Sequence, residues 1–235
     1  MIPTDLETAH NKVRRINKMM PFKKQQNSFN SSESGYTIIE GLIAVLIVSF
    51  LATAIGPMIA FAAGTRMQAK RVELAAQAGR TYIDGIKSGA VTPSANPNST
   101  RLKDVNAPAS GNLACDASKY CTAPETNLYC VDFDSTGQCE SGSQVDMLVQ
   151  ASACHPTSTQ LETGYYLGIR VYRANSFDSG VGQLQTTPPS TNITNALGDR
   201  TLPLVTITTE VSPEEGGFSD LQERLSGAST CISSN

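Results

Sequence analysis

Between Gly41 and Gly64 the chain runs for 24 residues without a single charge. As a helix at about 1.5 Å per residue, that stretch is roughly 36 Å long and exceeds the ~30 Å hydrocarbon core of a bilayer. The segment therefore reads as a membrane helix. Two residues sit oddly with a plain anchor: a glutamate, Glu40, immediately before the run, and a proline, Pro57, preceded by Gly56, deep inside it. A carboxylate at an apolar boundary needs a partner, since insertion scales charge about 2.5–3.5 kcal/mol for an acid in the apolar zone. Pro57 removes the helical donor to residue 53 and bends or loosens the helix there, with Gly56 beside it as a hinge.

The flanks of this segment differ in charge. Residues 1–35 hold six basic residues (Lys12, Arg14, Arg15, Lys18, Lys23 and Lys24) against three acids (Asp5, Glu7 and Glu33). Of the chain's 18 Lys/Arg and 21 Asp/Glu, that leaves twelve basic and eighteen acidic residues in the remainder. A basic segment before an apolar run holds that end in the cytoplasm. It has no short apolar core or small-residue cleavage site of an ordinary secretory signal. The acidic remainder argues against nucleic-acid binding through a basic surface. All six cysteines (Cys115, Cys121, Cys130, Cys139, Cys154 and Cys231) follow the apolar run. An even number confined to one side of a membrane segment implies disulfides in an oxidising compartment. Six cysteines allow 15 pairings. The simplest joins Cys115 to Cys121, Cys130 to Cys139, and Cys154 to Cys231. A zinc site is disfavoured, because no C-x2-C pair exists and His155 is the one histidine beyond the membrane segment.

From Arg66 the helical pattern continues without a break. Val72, Ala75, Gly79, Tyr82 or Ile83, and Ile86 recur every three or four residues, with Arg66, Lys70, Arg71, Glu73, Arg80 and Lys87 on other faces. The pattern predicts one helix from about Tyr36 to Ser88, apolar all round at first and then amphipathic. Residues 91–112, rich in proline and small polar residues, read as a loop or wrapping segment. Strand-like runs follow at 127–134, 146–154, 164–174 and 202–211, and alternation in YLGIRVYR and VTITTEV predicts half-buried antiparallel strands. A Pro/Thr/Asn-rich connection at 185–196 separates the last two, and 218–225 reads as a short terminal helix. The expected fold is α+β, a long helix packed on a small antiparallel sheet and stapled by disulfides.

The string Gly35-Tyr36-Thr37-Ile38-Ile39-Glu40 before an apolar helix resembles the type IV pilin class of prepilins, which includes the secretion pseudopilins. The resemblance implies a pilin-like fold in four parts. Residues 1–35 would be a leader removed by a prepilin peptidase and 36–65 a transmembrane and assembly helix. Residues 66–89 would continue that helix amphipathically, and 90–235 would form an extracytoplasmic β-rich domain. It implies cleavage between Gly35 and Tyr36 and methylation of the new Tyr36 amine by the same membrane enzyme; a phenylalanine is commoner at that position. It further implies that Glu40 pairs with the N-terminal amine of a neighbouring subunit, and that Gly56 and Pro57 sit where pilin helices often bend. The partners implied are the peptidase/methyltransferase, other pilin or pseudopilin subunits, an inner-membrane assembly platform, and lipid before assembly. The stretch TRMQAKRVELAAQAGRTYIDGIKSG is similar to cyanobacterial pseudopilins of hormogonium polysaccharide secretion, and the likeness extends to LYCVDFD and DMLVQA. The implied role is a pseudopilin for exopolysaccharide secretion and gliding. The alternatives are a minor type IV pilin for adhesion, motility or DNA uptake and, from another class, a membrane-anchored extracytoplasmic enzyme or binding module.

In VDFDSTGQCE, Asp132, Asp134 and Thr136 alternate before Gly137, with Glu140 four residues after Thr136. Hard oxygens on every second residue and a turn glycine resemble the start of a calcium loop. The acid expected at its end is replaced by Ser143, and a plain Asp/Ser/Gly turn closed by Cys130–Cys139 accounts for the same residues. No nucleophile elbow, phosphate loop or HExxH string occurs, so the chain reads as non-enzymatic, with calcium as its one candidate cofactor. His155, followed by Pro156, reads as a loop residue, and SPEEGG at 212–217 as a solvated acidic loop. Asn98 and Asn192 head weak glycosylation sequons.

Overall fold

A computed structural model of the chain describes residues 37–116, 119–126, 128–186, 198–212 and 217–232. Helix α1 spans Ile38–Lys87 and stays helical through Gly56 and Pro57. The chain divides into two units, residues 1–51 and 52–235.

In the second unit, the later turns of α1 bury Arg71, Leu74, Ala75, Ala78, Gly79, Tyr82, Ile83 and Ile86. Their spacing of three and four residues makes one stripe along the helix. The stripe is rotated slightly from the sequence expectation. Leu74 and Ala78 belong to it and Val72 does not, while Arg71, expected on a polar face, is buried at its leading end. Arg71 is tolerated there because its Nη2 donates to Gln144 Oε1 at 3.1 Å.

The stripe meets a four-stranded antiparallel sheet of order β3-β4-β5-β6, formed by Leu128–Val131 (β3), Met147–Cys154 (β4), Tyr165–Arg173 (β5) and Val205–Val211 (β6). With a side-chain period of two, one sheet face carries Tyr129 and Val131, Met147 and Val149, and Tyr165, Leu167, Ile169 and Val171, and these join the helix stripe in the main core. Gly79 lies close against the sheet. A Cβ there would lie 3.1 Å from both Ile169 Cδ1 and Ile207 Cδ1. At one end of the seam Tyr82 and Tyr129 pack with ring centroids 5.0 Å apart, and Tyr120 meets Tyr129 edge-on at 5.2 Å.

β5 was expected to be half-buried, yet all nine of its residues are buried. On the face away from the helix, Tyr166 packs with Cys154 and Cys231, Tyr172 packs with Leu148 and Phe177, and Gly168 and Arg170 are covered by the 91–112 segment. Its backbone pairs beside β4, with Asn98 N–H donating to Ala153 O (3.1 Å) and His155 N–H to Asn98 O (2.8 Å). Leu102 then seats on Gly168, where a Cβ would come within 2.6 Å of the leucine Cβ. Polar residues on this face satisfy the wrapping backbone. Arg170 donates to the carbonyls of Leu102 and Val105, Gln150 to Asn106 O (2.8 Å), and Ser152 to Thr100 O (3.2 Å).

A small hairpin that periodicity did not indicate, Ala114–Cys115 (β1) with Cys121–Ala123 (β2), adds a second sheet. Its cysteines join Leu128, Leu148, Tyr172 and Phe177 in a second core. The terminal helix α2, Phe218–Ser226, is followed by a four-residue turn of helix, α3, Ala228–Cys231. Arg224, almost fully buried, pins α2 to the sheet through Glu210 Oε1 (3.0 Å from Nε), the Thr163 carbonyl and Ser212 Oγ. Three disulfides close the domain, Cys115–Cys121, Cys130–Cys139 and Cys154–Cys231, and no cysteine is free.

Candidate functional site

The first candidate is the apolar part of α1. Every residue from Thr37 to Ala63 is exposed, although the stretch holds Leu46, Phe50, Met58, Ile59 and Phe61. This is the one helix among the described residues that is long and apolar enough to cross a membrane, and its most apolar window buries nothing within the chain. Glu40 stands in the first turn, where its carboxylate complements the positive end of the helix dipole. The turn is closed by Glu40 N–H and Gly41 N–H donating to Thr37 O, at 2.9 and 3.2 Å. At both Gly41 and Gly56 a Cβ would meet nothing within 4 Å, so the chain's own packing does not require glycine at either position. Gly35 and Tyr36, expected to flank the processing point, lie outside the described residues.

The second candidate is the loop between β3 and β4. The antiparallel register pairs Val131 with Met147. One step further, the same register sets Asp132 across from Asp146 at the root of the loop. The strand expected to run to 134 stops at Val131 because Asp132 captures the next backbone donors. Its Oδ1 accepts from Asp134 N–H (3.0 Å) and Ser135 N–H (2.7 Å), and its Oδ2 from Gly137 N–H (2.7 Å). Asp134 accepts from Thr136 N–H (3.3 Å) and Ser143 Oγ–H (3.0 Å). Hydrogen bonding by Thr136 and Ser143 holds its carboxyl below the ordinary value.

Carboxylate oxygens of Asp132, Asp134 and Asp146 lie within 4.8 Å of one another. Of the four residues proposed from sequence as calcium ligands, the structure brings Asp132 and Asp134 together and adds Asp146. Glu140 is exposed and lies outside that group, its backbone carbonyl accepting from Ser143 N–H at 2.9 Å. The Thr136 hydroxyl donates to Gln138 O at 2.9 Å. Asp146 is fully buried, and burial pushes its carboxyl up from the usual range. Its Oδ1 accepts from Phe133 N–H at 3.1 Å, whereas Oδ2 has no hydrogen-bond partner.

Beside this loop, a polar cavity of about 680 Å³ is lined by Arg71, Gln144, Arg173, Asn175 and Arg200 among others. Burial, then the neighbouring Arg71 and Arg200, push the Arg173 guanidinium down to about 10. These arginines come from α1, the end of β5 and the approach to β6, so no local motif announced them. His155 is a buried loop residue whose Nδ1 accepts from Thr157 N–H and Ser158 N–H, at 3.2 and 2.8 Å. Asn98 is exposed and its Oδ1 accepts from Thr100 N–H at 2.7 Å. Asn192 and the acidic centre of the 212–217 segment lie outside the described residues. Comparison with protein-family models, curated proteins and solved structures finds no match.

Proposed function

We propose that the chain is made as a prepilin and serves as a non-enzymatic subunit of a pilus-like filament, polymerising through the apolar part of α1. The observation that carries this reading is a carboxylate in the first turn of an apolar helix that its own chain leaves uncovered from Thr37 to Ala63. Lipid can cover such a helix but does not satisfy Glu40. In a bundle of neighbouring helices the same surface is covered, and the free amine of an adjacent Tyr36 supplies the counter-charge. Gly41 and Gly56 leave room for the close approach that helix packing in lipid favours. Cleavage after Gly35 at the cytoplasmic face of the inner membrane creates that amine. The disulfide-bonded domain stands outside the membrane before and after assembly. The likeness of residues 65–89 to polysaccharide-secretion pseudopilins supports exopolysaccharide export and gliding as the filament's work.

Mass spectrometry of the mature protein should find an N-terminal, methylated Tyr36. An intact Met1 would refute processing and favour a fixed anchor carrying an outer domain. Glu40→Ala should leave membrane insertion intact. It should also reduce filament assembly by roughly 100-fold, the equivalent of about 2.5–3.5 kcal/mol per subunit contact. Wild-type levels of filament from that variant would refute the pairing. Loss of secreted polysaccharide on deletion, with adhesion and DNA uptake unchanged, separates the secretion role from that of a minor pilin.

A further inference from the structure

The β3–β4 loop holds more negative charge than a turn requires. Asp132 by itself caps the turn, taking three backbone N–H groups. Asp134 and Asp146 then bring two more carboxylates to the same point, within 4.8 Å. Asp146 is fully buried, and its Oδ2 has no hydrogen-bond partner. A buried carboxylate oxygen beside two other carboxylates is unfavourable unless a cation or a proton neutralises it.

The arrangement also repairs a defect in the sequence pattern. A calcium loop places oxygen ligands at its first, third and fifth positions, a glycine at the sixth and an acid at the twelfth. Counted from Asp132, these are Asp134, Thr136 and Gly137, but the twelfth is Ser143. The hairpin register brings Asp146 in from the start of β4, three residues beyond the missing acid. Two ligands on opposite sides of a calcium ion, each at 2.3–2.6 Å, stand about 4.6–5.2 Å apart. Carboxylate oxygens within 4.8 Å of one another lie inside the distance that such an ion bridges.

We propose that the loop closed by Cys130–Cys139 binds one calcium ion through Asp132, Asp134 and Asp146. Nearby hydroxyl and carbonyl oxygens and water complete the six to eight ligands. The donor set is all oxygen and lacks the nitrogen or thiolate that zinc favours. The exposed side of the loop leaves room for water and further oxygens, which suits the six to eight ligands of calcium better than the strict octahedron of magnesium. Asp132 is already oriented by its three N–H donors, so binding costs little reorganisation. The ion would fix the root of the β3–β4 hairpin, against which Tyr82 and Arg71 of α1 pack through Tyr129 and Gln144.

The test uses the full chain in detergent micelles, stripped with EGTA and titrated calorimetrically with calcium chloride or magnesium chloride, with parallel thermal melts. Calcium should bind one to one and raise Tm by about 5–10 °C at a concentration near 100 times Kd. Asp134→Asn, at an exposed position, should fold normally and bind about ten-fold more weakly or worse. Asp146→Asn should melt no lower than the calcium-free wild type and lose the calcium response. The proposal is overturned by a wild type that neither binds calcium nor shifts in Tm, or by an equal response to magnesium. It is equally overturned by an Asp134→Asn or Asp146→Asn variant that responds to calcium as the wild type does. If Asp146→Asn fails to fold, Asp134→Asn decides.

Discussion

Gly79 packs closely on the sheet, and the consequence of adding a methyl group there can be worked out. Replacement by alanine favours the helix by about 1 kcal/mol, because alanine loses less backbone entropy than glycine. Against that, the new Cβ would stand 3.1 Å from Ile169 Cδ1 and from Ile207 Cδ1, where apolar carbons prefer about 3.5–4.0 Å. Ile169 is wholly buried on an inner strand and has nowhere to go. Ile207, half-buried on the edge strand β6, can swing outward. Overpacking of this kind costs about 1–3 kcal/mol. The repulsion therefore outweighs the helix gain, and Gly79→Ala should be about 1 kcal/mol less stable than wild type, lowering Tm by about 2–4 °C. Gly79→Val forces two more carbons toward the sheet and should cost about 3 kcal/mol or more. Ile169→Val alone should cost about 0.5–1.5 kcal/mol. It removes the clashing methyl that cannot move aside, so in the Gly79→Ala background the loss should shrink by about 1 kcal/mol. Thermal denaturation of the full chain in micelles, followed by far-ultraviolet circular dichroism, gives all four corners of the cycle. A Gly79→Ala protein stabilised by the full ~1 kcal/mol, with an additive cycle, would refute the close helix–sheet contact.

Two further perturbations probe other parts of the domain. The Cys154–Cys231 link closes a loop with a sequence separation of 77 residues, for which the chain-entropy relation gives about 4.5 kcal/mol. Replacing both cysteines with serine should lower Tm markedly and make limited proteolysis start in 217–232, while Arg224 still tethers α2; unchanged melting and cleavage would show the link to be idle. His155 is held below its ordinary pKa of 6.5 by burial, and the two N–H groups on Nδ1 favour the neutral ring. The unfolded chain takes up a proton near 6.5 and the folded one resists it, so this stability is complete above that value and is lost as pH falls toward the folded pKa. Tm should decline as pH falls below about 6.5, and His155→Asn, which can still accept at Oδ1, should flatten the decline; an equally steep profile in the variant would assign the effect elsewhere.

The elements governed by local rules were legible in the sequence. The helix was expected from about Tyr36 to Ser88 and is described from Ile38 to Lys87, because one uninterrupted pattern of apolar spacing defines it. The four main strands fall inside the stretches expected for them, trimmed where side-chain chemistry intervenes. Asp132 diverts the backbone after Val131, and β6 begins only after Pro203, which has no N–H to donate. What depends on register or on long-range covering was not legible. Alternation in YLGIRVYR predicted a half-buried strand, but it carries no information about a separate segment laid over Gly168 and Arg170. Asp146 lies 14 residues from Asp132, and only the pairing of Val131 with Met147 makes them neighbours. The two-residue strand β1 is too short to show any period.

The burial pattern of α1 separates two requirements that the continuous sequence pattern merges. From Arg71 to Ile86 the helix has one covered face, and its own sheet supplies the cover. A further partner is unnecessary there, and the polar residues Glu73, Arg80 and Asp84 remain in water. From Ile38 to Ala63 no face is covered, and apolar side chains point in every direction around the axis. One partner on one side cannot satisfy such a surface; it requires a solvent, either lipid or a ring of similar helices. Lipid alone would select against Glu40, since a leucine there would insert more favourably. An acid in the first turn is favoured by the positive end of the helix dipole, and a cation supplied by a second environment at that depth would add to that. In the filament proposed above, the amine of an adjacent Tyr36, four residues before Glu40 in sequence, would supply one to every carboxylate.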